Sequence, residues 1–309
     1  MPPYARGMNI VSVSEEVRHA LETNVPVVAL ESTIIAHGLP RPTNLDSARA
    51  WESQIRHGGG VPATVAVIDG VPRVGLTEAQ LELIAMSDVP KASVRDIPVL
   101  MGQGLSGATT VASTAYIAHR AGVRVFATGG LGGVHRGASA SFDESADIPI
   151  LSTTAITVVS AGVKSILDIA ATLERCETLS IPVLGYQTST FPAFWLRESA
   201  YALDWKVEGA AEVASIMAAR DALGLSSGMV VANPIPAHQQ WDPTTHDRIL
   251  EQALGAADEH HIRGHDVTPF LLAYIQEHSG GESLRVNLDL VTHNVSVALE
   301  IATQWATHA

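Results

Sequence analysis

The chain has 309 residues, of which 46% are hydrophobic and 17% charged, a composition that indicates a folded globular protein and excludes an intrinsically disordered one. Its formal net charge of −13 is not offset by any run of Lys or Arg, which excludes a nucleic-acid partner but is compatible with one small phosphate ester. The single cysteine, Cys176, cannot form an internal disulfide, and the lack of a signal-peptide pattern or a long apolar run predicts a cytoplasmic protein without a membrane partner.

Short β-branched segments alternate with amphipathic segments along most of the chain. This alternation predicts an α/β fold, with a three-layer α/β/α core around a mostly parallel mixed sheet and a smaller decorating lobe. No linker-like stretch or repeat divides the chain, so residues 1–309 are predicted to form one unit with no separable linker. The predicted strands are Val27 to Leu30, Thr64 to Ile68, Val123 to Ala127, Ile181 to Tyr186 and Met229 to Ala232. The predicted helices are Leu45 to Arg56, Thr109 to Arg120, Ala210 to Leu223 and most of Pro269 to Trp305, the last with a break at Gly280-Gly281.

Ligands of parallel sheets usually bind beyond the carboxyl ends of the strands. The residues that follow the predicted strands are therefore the candidates for a functional site. Four such segments stand out: Glu31 to Thr33 with His37, Gly107 to Ser113, Gly129 to Asp147, and Gly162 to Asp168.

Lys91 and the segment GATTVAST, residues 107–114, are both compatible with phosphate binding. Lys91 lies in the mixed-charge stretch VPKASVRDIP, which fits a phosphate site or an ordinary solvated loop equally well. GATTVAST places four hydroxyls at a predicted helix start, where backbone N–H groups could hold a phosphate. The same hydroxyls could simply cap the helix, which is their commoner use.

The glycine-rich segment FATGGLGGVHRG follows a predicted strand but does not match a dinucleotide fingerprint, because His135 occupies the place of the third glycine. The residues after it include Asp143, Glu144 and Asp147, whose oxygens suit Mg²⁺ or Mn²⁺ better than Zn²⁺. A solvated loop with capping carboxylates is an equally weighted alternative.

Lys164 is one of only three lysines, with Lys91 and Lys206, in a chain that otherwise uses arginine. It lies among small and apolar residues in AGVKSILD, where a strand is predicted to end and a helix to begin. Desolvation there would lower the pKa of the amine and favour a Schiff-base nucleophile, which arginine cannot provide. The alternative is a lysine that reaches solvent and pairs with Asp168 one turn later.

Taken together, these segments resemble the pseudouridine-5'-phosphate glycosidase family, also described as indigoidine synthase A-like. The resemblance extends in order from about Val27 to about Ile301, which is nearly the whole chain. The segments that carry it are VVALESTIIAHGLPRP, KASVRDIP, GATTVAST, FATGGLGGVHRGA, FDESADI, AGVKSILD, TPFLL and HSGGESL.

The resemblance implies an enzyme that interconverts pseudouridine 5'-phosphate with uracil and ribose 5-phosphate. It also implies one divalent ion per subunit, typically Mn²⁺ although other divalent metals are compatible, and a homotrimer. By position, Lys164 would be the covalent Schiff-base nucleophile, Glu31 the proton donor and Asp143 the metal ligand. Substrate contacts are implied at Lys91, Val111, Ser145, Ala146 and Asp147, with His135 and Asn287 close to the site.

The sequence departs from the family pattern at several positions outside the three residues assigned to the chemistry. Val94 stands where an arginine is usual and Ser139 where a glutamate is common, while Ser189 and Thr190 remove acidity from YQTSTFPAFW. An asparagine pair near the last helix appears as His293-Asn294. These changes would affect substrate affinity more than the basic chemistry.

Two other functions fit the same residues. A Schiff-base aldolase or lyase acting on another sugar phosphate would use Lys164 and the phosphate site but would have no reason to bind uracil. A non-catalytic protein that binds a sugar phosphate or nucleotide would need neither Lys164 as a nucleophile nor Glu31 as a proton donor.

Overall fold

The computed structural model of the protein describes residues 10–262 and 267–308. For residues 268 and 269, within TPFLL, it describes only the backbone. Eleven strands form within this part of the chain. They are β1 (Ser12–Val13), β2 (Val27–Leu30), β3 (Val61–Ile68), β4 (Val71–Val74), β5 (Lys91–Ala92), β6 (Gly107–Thr109), β7 (Val125–Ala127), β8 (Thr157–Ser160), β9 (Val183–Tyr186), β10 (Trp205–Val207) and β11 (Met229–Ala232).

The strands join into one mixed sheet. Its parallel part runs in the order β3-β2-β7-β8-β11-β9-β10, and β4 and β6 pair antiparallel with β3. β1 pairs parallel with β4, and β5 pairs parallel with β6. All residues of β2, β7, β8 and β11 are buried. Helices cover both faces of the sheet, and this explains why these strands contain few polar residues.

Helices cover the sheet, and the described α-helices run in chain order between and after the strands. They are α1 (Glu15–Glu22), α2 (Thr43–His57), α3 (Glu78–Met86), α4 (Ile97–Gln103), α5 (Val111–Arg120), α6 (Ala138–Ser141), α7 (Asp147–Leu151), α8 (Ile169–Thr178), α9 (Ala210–Ala222), α10 (Pro243–Glu259), α11 (Val267–His278) and α12 (Glu282–Ala306). A π-helical turn spans Ile34–Gly38, and a short 3₁₀ turn spans Val94–Asp96.

Helix α12 is central to one layer, because it packs on β2, β7 and β8 and also contacts α2 and α9. Helix α5 packs on β2, β3 and β4 and against α7. The predicted three-layer α/β/α architecture is therefore confirmed. A separate small apolar cluster that includes Ile35, Leu81 and Ile84 lies beside α2 and α3, at the edge of the sheet where β4, β5 and β6 extend it.

The predicted strands are confirmed in place, with shifted ends. β3 begins at Val61 rather than Thr64, and β7 and β9 begin two residues later than predicted. Val123 and Ile181, at the predicted starts, are buried but precede the paired residues of their strands. Thr109 belongs to β6, so the helix predicted from Thr109 starts at Val111. The strand predicted to end before Lys164 is β8, for which no bounds had been predicted, and the short peripheral strands had not been predicted.

The C-terminal prediction of helices interrupted at Gly280-Gly281 is confirmed. Both glycines lie between α11 and α12 with φ of 61° and 92°, values that favour glycine because it lacks a Cβ. None of the helices formed by the described residues has both the length and the apolarity that crossing a bilayer requires.

Candidate active site

Glu31 and Thr128 are brought together by the register of two adjacent parallel strands. Leu30 at the end of β2 pairs with Ala127 at the end of β7, so the next residue of each strand falls at the carboxyl edge of the sheet. There the Thr128 hydroxyl donates a hydrogen bond to Glu31 Oε1. Asn294 of α12 supports this contact, since its side-chain amide donates to the Thr128 carbonyl at 2.8 Å.

Burial raises the pKa of the Glu31 carboxyl above its ordinary value, and the negative charge of Asp147 acts in the same direction. The positive charge of Lys164, the hydrogen bond from Thr128 and the charge of Lys91 oppose this rise without cancelling it. A carboxyl with a raised pKa retains its proton nearer to neutral pH, which suits a proton donor.

Lys164 lies in the loop between β8, which ends at Ser160, and α8, which begins at Ile169. The prediction that it lies at the direct junction of a strand and a helix is thus corrected to a position four residues beyond the strand. Its N–H donates to the carbonyl of Leu131 at 3.2 Å, which ties this loop to the glycine-rich segment. The side chain is half-buried and lines a cavity.

The predicted alternative, in which Lys164 pairs with Asp168, is not what the structure contains. Asp168 caps α8 instead, because its carboxylate accepts a hydrogen bond from the Ala171 N–H at 3.0 Å. Neither residue is among the ion pairs of the described chain. The amine of Lys164 is therefore not neutralised by the carboxylate nearest to it in sequence.

Lys91 reaches the same cavity from β5, whose pairing with β6 places Lys91 beside Ala108. Desolvation by the surrounding protein lowers the pKa of the Lys91 ammonium group, and the positive charge of Lys164 lowers it further. Asp147 and Glu31 oppose this shift. Because Lys164 disfavours the positive charge of Lys91, an anionic substrate bound near both would relieve that repulsion.

The cavity has a volume of about 490 Å³, within the range of small-molecule sites. Glu31, Lys91 and Lys164 line the wall formed by the carboxyl edge of the sheet. A second part of the lining is largely apolar and comes from α11, α12 and the segment between β9 and β10. Its side chains are Phe194, Trp195, Leu272, Ala273, Gln276, Ser283, Leu284, Asn287, Leu290 and Val291.

Asn287, predicted near the site, lines this cavity and is held by Trp195. The indole Nε1–H donates to Asn287 Oδ1 at 2.6 Å, which leaves the amide N–H₂ of Asn287 free to face a ligand. Phe194 packs on Gly130, where a Cβ would lie 2.6 Å from the phenyl ring, so only glycine fits. Trp195 ends the segment YQTSTFPAFW that the sequence analysis singled out, but its contact with Asn287 was not predicted, and Thr128 was missed because a single threonine carries no motif of its own.

Asp147 lies beside the cavity and joins two segments of the site. Its buried carboxylate accepts hydrogen bonds from Ala112 N–H at 2.9 Å and Gly132 N–H at 2.8 Å. Its own N–H donates to Ser145 Oγ at 3.2 Å. An alanine Cβ at Gly132 would come within 2.8 Å of both the Ser145 and the Asp147 side-chain oxygens, so this close approach requires glycine.

The other predicted substrate contacts lie around this junction rather than in the lining of the cavity. Val111 is buried at the first turn of α5, Ser145 is half-buried and Ala146 is exposed. The structure therefore brings Glu31, Lys91, Lys164 and Asn287 into one cavity, whereas Val111 and residues 145–147 are not among the residues that line it.

The hydroxyls of GATTVAST are used within the protein. Thr110 caps α5 by accepting from Ser113 N–H, and the Ser113 hydroxyl donates to the Ala92 carbonyl at 2.6 Å. Thr109 donates to the Val65 carbonyl at 2.6 Å, and Thr114 donates to Thr109 at 2.8 Å. Of the two predicted uses of these hydroxyls, the structure has the capping and packing use.

His135 and Asp143 form the hard-donor part of the glycine-rich segment. The imidazole Nδ1 lies 3.6 Å from Asp143 Oδ2, and burial lowers the pKa of His135 although Asp143 opposes the shift. The part of the chain that the structure describes contains no group of three or more His, Cys, Asp or Glu side chains able to hold a metal. This donor set fits a hard divalent ion that keeps most of its waters and takes one carboxylate from the protein.

The positions where the sequence departs from the family pattern lie away from the cavity lining. Ser139 is exposed on α6, and Val94 is half-buried in the 3₁₀ turn. The Thr190 hydroxyl lies 3.3 Å from that of Thr188 within its own turn, and the Ser189 carbonyl accepts from Leu203 N–H at 2.9 Å. Asn294, which stands in the variant asparagine pair, is the helix residue that holds Thr128.

Comparison with known proteins gives consistent results. The family model described as indigoidine synthase A like protein matches residues 16–304. The pseudouridine-5'-phosphate glycosidase of Frankia alni is 60% identical over 97% of this chain and 83% of its own length. The enzyme of the same name from Saccharopolyspora erythraea is 53% identical over 97% of this chain and 99% of its own length.

Two solved structures share the fold. The prealnumycin C-glycosynthase AlnA, in complex with ribulose 5-phosphate, has a TM-score of 0.91 and 34% identity, over 97% of this chain and 98% of that chain. The indigoidine synthase A-like protein of Thermotoga maritima has a TM-score of 0.86 and 34% identity, over 96% of each chain.

Proposed function

Because the chain belongs to the family of indigoidine synthase A-like proteins, we propose that it is a pseudouridine-5'-phosphate glycosidase that works through a Schiff base on Lys164. The reaction is the reversible cleavage of the carbon–carbon glycosidic bond to give uracil and ribose 5-phosphate. The observation that carries the proposal is that Lys164 and Glu31 line one cavity of suitable size at the carboxyl edge of the sheet, where they follow β8 and β2 on either side of β7.

A carbon–carbon glycosidic bond has no leaving-group oxygen to protonate, so the chemistry of two paired carboxylates does not apply. After the ribose ring opens, the Lys164 amine adds to the anomeric carbon. The nitrogen lone pair then forms an iminium as the bond to uracil breaks, the bonding electrons leave with uracil, and uracil C5 gains a proton. Water hydrolyses the iminium, which releases ribose 5-phosphate and restores the amine.

Glu31 is proposed as the group that moves protons during ring opening and uracil departure. Its raised pKa leaves a larger fraction protonated near neutral pH than an exposed glutamate would have. Lys91 is proposed to hold the phosphate, since it is a second cation on the same cavity wall. Asn287 presents an amide to the apolar part of the cavity, where a pyrimidine with its edge of N–H and C=O groups would fit.

We propose that Asp143 holds a divalent ion, with Mn²⁺ as the expected metal, and that His135 lies next to it. When bound, such an ion supplies positive charge that polarises substrate oxygens. Ser145, Ala146, Asp147 and Val111 would shape the border between the ion and the sugar. The proposed ion site is supported by the Asp143 carboxylate, whose Oδ2 lies 3.6 Å from the imidazole Nδ1 of His135.

Location and assembly are proposed from the sequence and the family. A cytoplasmic enzyme is consistent with the one cysteine, Cys176, which is buried and has no cysteine partner. A homotrimer follows from the resemblance to the family, and exposed apolar side chains such as Phe142 and Leu223 are available for contacts between subunits. Sedimentation of the purified protein tests the trimer.

Borohydride trapping tests the proposed chemistry. The metal-loaded protein is treated with ribose 5-phosphate and borohydride, and the adduct is located by intact mass and peptide mapping. The proposal expects one pentose-phosphate adduct on Lys164, and none in Lys164→Arg. Lys206→Arg is the matched control. Lys206 forms an ion pair with Glu208 and does not line the cavity, so its substitution should leave the adduct unchanged.

Uracil distinguishes this function from the two alternatives. The glycosidase condenses uracil with ribose 5-phosphate to a carbon-linked product, whereas an aldolase that forms the same adduct does not. A binding protein gives neither product nor adduct, and its ligand affinity changes little in Lys164→Ala. A folded, metal-loaded protein that yields no adduct would contradict the proposal.

A further inference from the structure

Thr128 is fixed at the end of β7 through its backbone and its side chain. Its N–H donates to the Val159 carbonyl at 3.0 Å, and its carbonyl accepts from Asn294 Nδ2 at 2.8 Å. The amide oxygen of Asn294 in turn accepts from Asn233 Nδ2 at 2.9 Å. With these contacts in place, the hydroxyl of Thr128 has a defined direction towards Glu31 Oε1.

Thr128 is only 2% exposed, so its side chain is shielded from bulk solvent. A β-branched side chain also has few χ1 rotamers, which keeps the hydroxyl on one side. The terminal torsion of a glutamate is broad, so the carboxyl of Glu31 would otherwise rotate. Since Oε1 is occupied by Thr128, Oε2 is the oxygen left for a reacting group in the cavity that Glu31 lines.

From this geometry we propose that Thr128 is a positioning residue, which orients the Glu31 carboxyl so that one defined oxygen exchanges protons with the substrate. The inference deepens the proposed function and rests on Glu31 being its proton donor. Asn294 of α12 and Asn233, the residue after β11, extend the same chain of hydrogen bonds to Glu31.

The hydrogen bond also has a consequence for pH dependence. Three charged groups face Glu31: Lys164 and Lys91 favour its ionised form, and Asp147 disfavours it. The hydroxyl of Thr128 favours the ionised form as well, so removing it raises the pKa of Glu31 further. Because a proton donor loses activity as pH rises through its pKa, the loss of the hydroxyl moves that decline to higher pH.

Two pairs of variants that differ by little more than one oxygen test this role: Thr128 against Thr128→Val, and Thr128→Ser against Thr128→Ala. The rates of cleavage are measured across pH, together with kcat and KM. We expect kcat to fall on the order of tenfold to a hundredfold in the Val and Ala variants, with their alkaline limb at higher pH. The Ser variant should keep the position of the limb and most of the rate.

Thr64 offers a matched control. It is also buried, and its hydroxyl donates to Glu52 Oε1 at 2.6 Å, so Thr64→Val breaks the same kind of bond at a carboxylate that does not line the cavity. That variant should leave the alkaline limb in place. Glu31→Gln should have no such limb, which assigns the limb to Glu31.

Borohydride trapping on Lys164 separates the two possible failures. An adduct in the wild type, with Thr128→Val and Thr128→Ala unchanged in rate and pH profile, overturns the role of Thr128 and leaves the proposed function intact. Absence of an adduct in the wild type overturns the proposed function itself. If Thr128→Val does not fold, the comparison of Thr128→Ser with Thr128→Ala decides.

Discussion

Asp147 provides a test of how the site is assembled. The residue is 6% exposed, and its carboxylate links the first turn of α5, through Ala112 N–H at 2.9 Å, to the glycine-rich segment, through Gly132 N–H at 2.8 Å. Asp147→Asn preserves the shape of the side chain but turns one acceptor oxygen into an N–H₂ donor. One of the two backbone N–H groups then faces a donor instead of an acceptor.

The expected loss of stability follows from these two bonds. Hydrogen bonds to a charged acceptor contribute about 1.5–3 kcal/mol each, and a buried N–H left without a partner costs about 1–3 kcal/mol. Asp147→Asn weakens one bond and removes the other, so we expect the free energy of unfolding to fall by about 2–4 kcal/mol. The loss should also separate α5 from the glycine-rich segment and reduce activity.

The assay is denaturant unfolding followed by circular dichroism, in which a pure stability effect lowers the midpoint without changing the slope. Asp168→Asn is the matched control. Asp168 accepts one backbone N–H, from Ala171, at the start of α8, and asparagine caps helices about as well as aspartate. That control should stay within about 0.5 kcal/mol of the wild type. An Asp147→Asn protein as stable as the control would refute this reasoning.

Three further predictions concern other parts of the site. Gly132→Ala would place a Cβ within 2.8 Å of two side-chain oxygens, so it should lower the free energy of unfolding by about 1–3 kcal/mol and remove most of the activity. Gly102→Ala, with open space around it, should be tolerated. Equal denaturation midpoints of the two variants would contradict this. Trp195→Phe removes the donor to Asn287 and should raise KM for uracil in the synthetic direction severalfold with kcat less affected, and an unchanged KM would count against it. Glu31→Gln should raise Tm at alkaline pH. Folding raises the pKa of Glu31, so folding of the wild type becomes less favourable as pH rises through that raised pKa. The gain in Tm should disappear below the ordinary pKa of a glutamate, and a gain independent of pH would argue against this cause.

The fold class and most of the central strands could be predicted from the sequence, because their signal is local. Runs such as those of β2 and β11 have apolar residues at every position, which only a sheet buried on both faces accommodates. Strand β8, four residues long and at the middle of the sheet, was predicted only as a strand that ends before Lys164, without bounds. The edge strands are shorter still, and their pairing depends on the neighbours that the fold supplies.

The candidate residues were predicted from the chemistry of their side chains and from resemblance to a family. Lys164 was singled out by its rarity and its apolar setting, and Glu31 by its position after a strand. Neither signal could show that Asp168 caps a helix instead of pairing with Lys164, or that Thr128 donates a hydrogen bond to Glu31. Those contacts depend on which oxygen lies within 3 Å, and residue type alone does not decide that.

By itself, the sequence determined the fold class, most of the central strands and the candidate site residues, because periodicity and side-chain type are properties of the chain. The tertiary structure decided how those residues meet. Strand order places β2, β7 and β8 side by side, so that residues 31, 128 and 164 converge although more than thirty positions separate each from the next. It also decided that α12 supplies Asn287 to the cavity and Asn294 to Thr128, since only packing against the sheet brings a distant helix to the strand ends.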